Sequence, residues 1–220
     1  MSAESSPDTR DRLLHAAIEV FSESGFESAT VREICRRAGA NVAAVNYYFG
    51  DKKRLYAAIF DDVFETLHAS RTPFLPRSAA PGQRLETYIR AFFEELFYCN
   101  EDGPDCTQLS AMYLLEMIRP SEVLDRIVRD YIAADVEELR DIVARLLGEG
   151  ADIATIINCS SSIAGQILYY YQAQPLIERL EPRLPPPKER LDELVAHVLT
   201  FSLGGIAGAK AALAHGKATQ

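Results

Sequence analysis

Tryptophan is absent from this chain, and cysteine, histidine and methionine are sparse. The four cysteines, Cys35, Cys99, Cys106 and Cys159, stand far apart with no C-x-x-C pair. That spacing argues against a zinc site or a disulfide framework and leaves buried, reduced thiols as the expectation. His15, His68, His197 and His215 are isolated, with no carboxylate or cysteine at ligand spacing, so no metal and no cofactor are expected. There is no recognisable Ser/His/Asp set, no glycine-rich phosphate loop and no H-E-x-x-H, so the chain is not expected to be an enzyme. No run approaches the ~20 apolar residues that span a bilayer. The N-terminal "MSAESSPDTRDR" has no apolar signal core. A soluble cytoplasmic protein without a membrane partner is the expectation.

What is present is an acidic chain that is 48% apolar and 25% charged, with a formal charge of −9. Nucleic-acid binding draws on Lys and Arg to neutralise phosphates, so this total taken alone argues against it. The distribution reverses that reading. Residues 1–60 hold eight basic and eight acidic side chains, so the excess of acid lies entirely beyond residue 60. Arg32, Arg36, Arg37, Lys52, Lys53 and Arg54 form a basic cluster against only Glu33 and Asp51. A local patch, rather than the total, decides which surface a polyanion meets.

Apolar residues recur at helical spacing along the chain, and no segment alternates like a strand, so the fold class is all-α. A first helix follows Pro7 and stops at Gly25. Thr30 and Glu33 have capping-box spacing for a short second helix that ends near Gly39. Asn41 caps a third helix running to Gly50, and Asp51 a long fourth one. "RTPFLPRSAAPGQ" reads as a linker or loop. Beyond it come an apolar stripe through Leu85 and Phe97, a helix over 106–118, and one helix of about 27 residues closed by Gly148. Two further helices, over 151–173 and 189–209, flank the proline-rich "QPLIERLEPRLPPPK", expected to be a loop.

Three short helices with tight connections, the second and third separated by "AGAN", match a helix-turn-helix. At 100° per residue, placing Val45 toward the core brings Val42, Tyr48 and Phe49 within about 60° of it. Ala43 and Tyr47 then point away, with Asn46 on the flank. A small, polar and aromatic outer face suits a DNA major groove. Ala43 is small enough for close approach to a thymine methyl, and Asn46 matches an adenine edge. Thr30, Tyr47, Tyr48 and Lys52 suit phosphates, helped by the N-terminus of the fourth helix. Val42 and Arg32 complete the candidate DNA-binding set.

The segment "ATVREICRRAGANVAAVNYYFGDKKRLYAAIF" resembles the DNA-binding part of TetR/AcrR-type transcriptional regulators, with Thr30, Ala38, Gly39, Val45, Tyr48, Phe49, Lys52 and Leu55 on the characteristic positions. It departs at Asn46, where many members carry Tyr, and at Asn41, where Ser or Thr is usual. "LLEMIRP", "SIAGQILYYYQAQPLIERL" and "HVLTFSLGGIAG" resemble the C-terminal domain of the CecR-like branch. The resemblance implies a repressor: residues 1–55 a helix-turn-helix DNA-binding domain, and 56–220 a helical effector-binding and dimerisation domain. It implies a homodimer on a palindromic double-stranded operator, released by a small-molecule effector.

The last two long helices alternate apolar with small residues, and the exposed apolar patch a monomer would carry supports pairing of two copies. Ile156, Ile163, Ile167, Leu194, Val198 and Phe201 are the candidate dimer contacts. Phe64, Phe92, Phe93, Phe97, Tyr113 and Tyr171 are candidate walls of a pocket for an apolar or aromatic effector, with Glu116 as its polar group. Glu116 pairing with Arg119 or facing water is the other reading. The alternative for the whole chain is a helical ligand-binding or protein-interaction module that does not bind DNA.

Overall fold

The computed structural model describes residues 7–97 and 106–218, and every regular element among them is helical. The order is α1 (Pro7–Ser28), α2 (Val31–Ala38), α3 (Val42–Tyr48), α4 (Lys52–Ser70), α5 (Pro81–Phe97), α6 (Cys106–Ile118) and α7 (Glu122–Ile127). A π-helical turn (Val128–Ile132) precedes α8 (Ala133–Leu147), followed by α9 (Ile153–Gln172) and α10 (Gln174–Leu180). A 3-10 turn (Pro187–Arg190) leads into α11 (Leu191–Ala218). Cys35 is buried and Cys159 half-buried, both free; Cys99 lies outside the described residues.

Two compact units divide the described residues, one holding 7–69 and 106–131, the other 70–97 and 132–218. The expected boundary between residues 55 and 56 falls inside α4, a continuous helix whose residues up to Ala69 belong to the first unit. In that unit α1 packs on α2, α3 and α6. Leu13, Phe21, Ile34, Val45, Leu55, Tyr56 and Ile59 are among its fully buried side chains. Each apolar side chain of this size contributes about 1.5–3 kcal/mol on burial. In the second unit α5, α8, α9 and α11 pack on one another around Leu85, Ile89, Phe93, Ile142, Val143, Ile163, Ile167, Leu194 and Val198.

Local chemistry explains several boundaries. α1 breaks at Gly25, whose φ of 72° an L side chain rarely adopts. The Thr30 side chain accepts from the Glu33 amide at 3.2 Å, but the reciprocal half of the capping box is missing because Glu33 is drawn to Arg36 and Arg37 instead. Asn41 accepts from the Ala44 amide at 2.9 Å and Asp51 from the Arg54 amide at 2.7 Å, so both predicted caps form.

Three expectations fail. The single helix over 122–147 is α7, the π turn and α8 in succession. The wider turn brings residues five apart toward one face, and Arg126 and the Tyr131 hydroxyl both donate to Asp61, at 2.7–2.8 Å and 2.7 Å. The proline-rich "loop" contains α10, because Pro175 sits in its first turn, where a missing amide costs no helical bond. Finally, α11 with its leading turn is long and apolar enough to cross a bilayer by length and composition, and 28% of its most apolar stretch is buried inside the chain.

In the second unit a single guanidinium serves two carboxylates. Arg71 donates to Glu95 at 2.6 Å and to Asp135 at 2.6 and 2.9 Å, all three largely buried. Burial pushes the Glu95 carboxyl up to about 7, against the pull of Arg71. Between about 4.5 and 7 the folded state therefore holds a proton that the unfolded chain releases, so this group's contribution falls as pH rises through that window. Glu95→Gln, which mimics the protonated form, is expected to raise the thermal midpoint by several degrees more at pH 8 than at pH 5. Melting curves of both proteins across that range check it.

Candidate nucleic-acid interface

The third helix is seven residues long, too short to persist alone, and it is held by two side chains. Val45 is fully buried and Phe49 nearly so. Their burial fixes which residues face out: Ala43, Asn46 and Tyr47 are exposed, Tyr47 at 74%. Val42, expected on the core side, is exposed at 43% and lies beside this face, since it begins the helix at the edge of the packed layer. Tyr48 is half-buried, its ring edge-on to Tyr47 at 5.0 Å. Gly50, with φ of 88°, turns the chain sharply into α4.

The basic cluster is placed differently from what its composition suggests. Arg36 bonds Glu33 at 2.6 and 2.8 Å. Arg37 reaches Glu33 at 3.0 Å and Glu23 at 2.7 and 2.8 Å, tying α2 to α1. Arg36 first and Arg37 second hold the Glu33 carboxyl down to about 2, and the Arg37 hydrogen bonds also hold Glu23 below the usual carboxylate range. Lys52 donates to the carbonyls of Phe26 at 2.8 Å, Ala29 at 3.2 Å and Glu27 at 3.4 Å, and its ammonium lies 4.5 Å from the Phe26 ring centre. Its three N–H groups close the α1–α2 connection. Lys53 pairs with Glu122, and Arg54 stands 3.9 Å from Asp51. Arg32 is exposed and makes no ion pair among the described residues.

The other candidates divide between the units. Ile163, Ile167, Leu194 and Val198 are at most 2% exposed within one chain, so their side chains are already spent on the internal core and cannot also cover a second copy. Ile156 packs partly against the same core, and Phe201 is 65% exposed. Ile153, Ile157 and Tyr169 of α9 and Phe201 of α11 are exposed within one chain. A Cβ added at Gly165, Gly204, Gly205 or Gly208 meets nothing within 4 Å.

Among the expected pocket residues, Phe93, Phe97 and Tyr171 come together in the second unit, with Phe93 stacked on Phe97 at 5.8 Å and Phe97 edge-on to Tyr171 at 5.7 Å. Phe92 leans on Tyr88. Phe64, Tyr113 and Glu116 belong to the first unit, where Phe64 stacks on Tyr131 at 4.8 Å and burial raises the Tyr113 hydroxyl. Glu116 neither pairs with Arg119 nor faces water. It is buried and accepts from the Tyr56 hydroxyl at 2.9 Å and from the Ser121 amide and hydroxyl at 3.0 and 3.1 Å. Tyr56 escaped the sequence reading because a tyrosine at helical spacing looks like ordinary core; nothing local marks its distant acceptor.

Residues 83–206 match the profile "HTH-type transcriptional dual regulator CecR, C-terminal domain", more than half of the chain, and residues 13–59 match "Bacterial regulatory proteins, tetR family". The chain belongs to the TetR family. The transcriptional dual regulator CecR of Shigella flexneri is 29% identical over 73% of this chain and 74% of its own length. The transcriptional repressor NicS of Pseudomonas putida is 29% identical over 40% of this chain, a match spanning 41% of that repressor. The crystal structure of the regulator FadR from Bacillus subtilis in complex with stearoyl-CoA has the same fold, with a TM-score of 0.57 and 18% identity over 88% of this chain and 97% of that one. This TetR-family protein is a DNA-binding transcriptional regulator, and its relatives are regulators rather than enzymes.

The placement of Lys52 separates two roles. Lys52→Met keeps the apolar stem but leaves carbonyls of the α1–α2 connection without a donor, and charged hydrogen bonds of this kind are worth about 1.5–3 kcal/mol. Chemical denaturation without DNA is expected to show a loss of that size, whereas Arg32→Met is expected to leave stability unchanged.

Proposed function

We propose that the protein acts as a homodimeric repressor that binds a near-palindromic operator and is released by a small apolar or aromatic effector. The observation that carries this reading is the outward face of α3, where Ala43, Asn46 and Tyr47 stand exposed while Val45 and Phe49 are buried behind them. A helix so anchored enters a major groove as a rigid probe, Asn46 meeting an adenine edge and Ala43 a thymine methyl. Tyr47, Tyr48, Thr30 and Arg32 flank it toward the phosphates, with Val42 in apolar contact. Lys52 serves indirectly, holding the scaffold on which α3 sits.

Two copies pair through the open faces of α9 and α11. Ile153, Ile157, Tyr169 and Phe201 supply apolar area there, and Gly165, Gly204, Gly205 and Gly208 leave room for close helix approach. α11 also has a side packed in its own core through Leu194, Val195 and Val198, so its uncovered side suits a second copy better than a bilayer. A two-fold pair places recognition helices about 34 Å apart, one helical turn of DNA. The Phe93, Phe97 and Tyr171 cluster marks an aromatic wall for the effector. The relative crystallised with stearoyl-CoA supports a ligand with a long apolar portion. The effector acts by binding a DNA-incompetent arrangement more tightly than the competent one. A regulator of this kind works in the cytoplasm, where its operator lies.

Selection of bound sequences from random DNA is expected to return a two-fold site. Asn46→Ala is expected to cost about 1–3 kcal/mol and relax preference at one base pair per half-site. Phe201→Glu is expected to yield a monomer in sedimentation and to abolish tight operator binding while α3 stays folded. A site without two-fold symmetry, or unchanged preference in Asn46→Ala, would overturn the reading.

A further inference from the structure

Five of the six basic residues near the reading helix are engaged within the chain, and one of these engagements differs in kind. Arg36 and Arg37 are held by carboxylates of α1 and α2, Lys52 by three backbone carbonyls, and Arg54 by Asp51, which caps its own helix. Lys53 is instead paired with a residue 69 positions away, Glu122 at the start of α7. Both partners are open to water, Lys53 at 51% and Glu122 at 82% of the side chain. Lys53 is the second residue of α4, directly beyond the Gly50 turn that ends the reading helix.

The pair is not an incidental meeting of long side chains, because α7 is fixed against α4 by a buried relay. Tyr56, one turn after Lys53 on the same face of α4, donates to Glu116. Glu116 accepts from the Ser121 amide and hydroxyl, and that hydroxyl accepts in turn from the Val123 amide, capping α7. Glu122 therefore stands beside Lys53 because Tyr56, Glu116 and Ser121 put it there. Lys53 draws the Glu122 carboxyl below the usual carboxylate range.

Resting on the DNA-binding reading above, we propose that Lys53 is a phosphate-contacting residue whose ammonium Glu122 occupies in the free protein, so that operator phosphate and α7 compete for one charge. The carboxylate stands in for the phosphate oxygen. Exposed ion pairs hold so weakly that a phosphate, reinforced by the partial positive charge at the α4 N-terminus, displaces Glu122. By reciprocity, anything that draws Glu122 closer to Lys53 weakens DNA binding, and DNA binding releases α7 from α4 at this point.

A double-mutant cycle on the full-length protein tests this, using the selected operator fragment and an unrelated duplex. Glu122→Gln is expected to tighten binding about two- to fivefold per half-site on both duplexes alike, because phosphate contacts carry no sequence information. Lys53→Gln is expected to weaken both alike. In the Lys53→Gln background, Glu122→Gln is expected to have no effect. If Glu122→Gln leaves affinity unchanged, or tightens it equally with and without Lys53, the competition does not exist and Glu122 is only a distant repulsive charge. Thermal melts of all variants exclude loss of fold as the cause. Absence of operator binding by the unsubstituted protein would instead remove the DNA-binding reading itself, an outcome distinct from an additive cycle.

Discussion

The burial of Val45 and Phe49 is the constraint on which the interface depends. A seven-residue helix gains too little from its own hydrogen bonds to offset the cost of nucleation, so its order is borrowed from the core beneath it. Once those two side chains are seated, helical geometry leaves no freedom in what the opposite side presents. Asn41 and the sharp turn at Gly50 then close the two ends. The same economy appears in α2, where Arg37 on its outer side reaches Glu23 and Glu19 of α1.

Charge in this region is used chiefly for construction. From composition alone, Arg36, Arg37, Lys52, Lys53 and Arg54 make a basic patch ready for a polyanion. In the folded chain their donors are directed at carboxylates and carbonyls of the protein. Lys52 is the clearest case: three carbonyls at the α1–α2 connection are satisfied by one ammonium that also rests on the Phe26 ring. A spacing argument on the sequence places Lys52 at the right point along the chain, yet the direction of its Nζ depends on where α1 ends, which is set by Gly25.

Local signals were legible. The caps at Thr30, Asn41 and Asp51, the break at Gly25 and the buried position of Val45 all follow from neighbours within one or two helical turns. The all-α class follows from the same periodicity. What escaped depends on partners far along the chain. The Tyr56–Glu116 bond and the Asp61 contacts with Arg126 and Tyr131 join residues 60 or more positions apart, and no periodicity encodes them. The π turn is invisible to a helical-wheel count that assumes a constant 100° step. Four of the six candidate dimer contacts are buried for a related reason: an apolar stripe shows that a side is covered, without saying whether by the same chain or another. Ile163, Ile167, Leu194 and Val198 were on the stripe covered from within.

The self-neutralised arginines have a consequence for how such a molecule moves through a cell. Indiscriminate attachment to chromosome grows with the number of unpaired cations offered to the backbone, and genomic duplex outnumbers any one target by several orders of magnitude. A protein of net charge −9 that encloses Arg37 between Glu23 and Glu33 and turns Lys52 onto its own backbone carbonyls offers that excess little to hold. A small pool of copies would then remain largely unbound between encounters, and occupancy would follow the match between edge contacts rather than the sheer quantity of duplex.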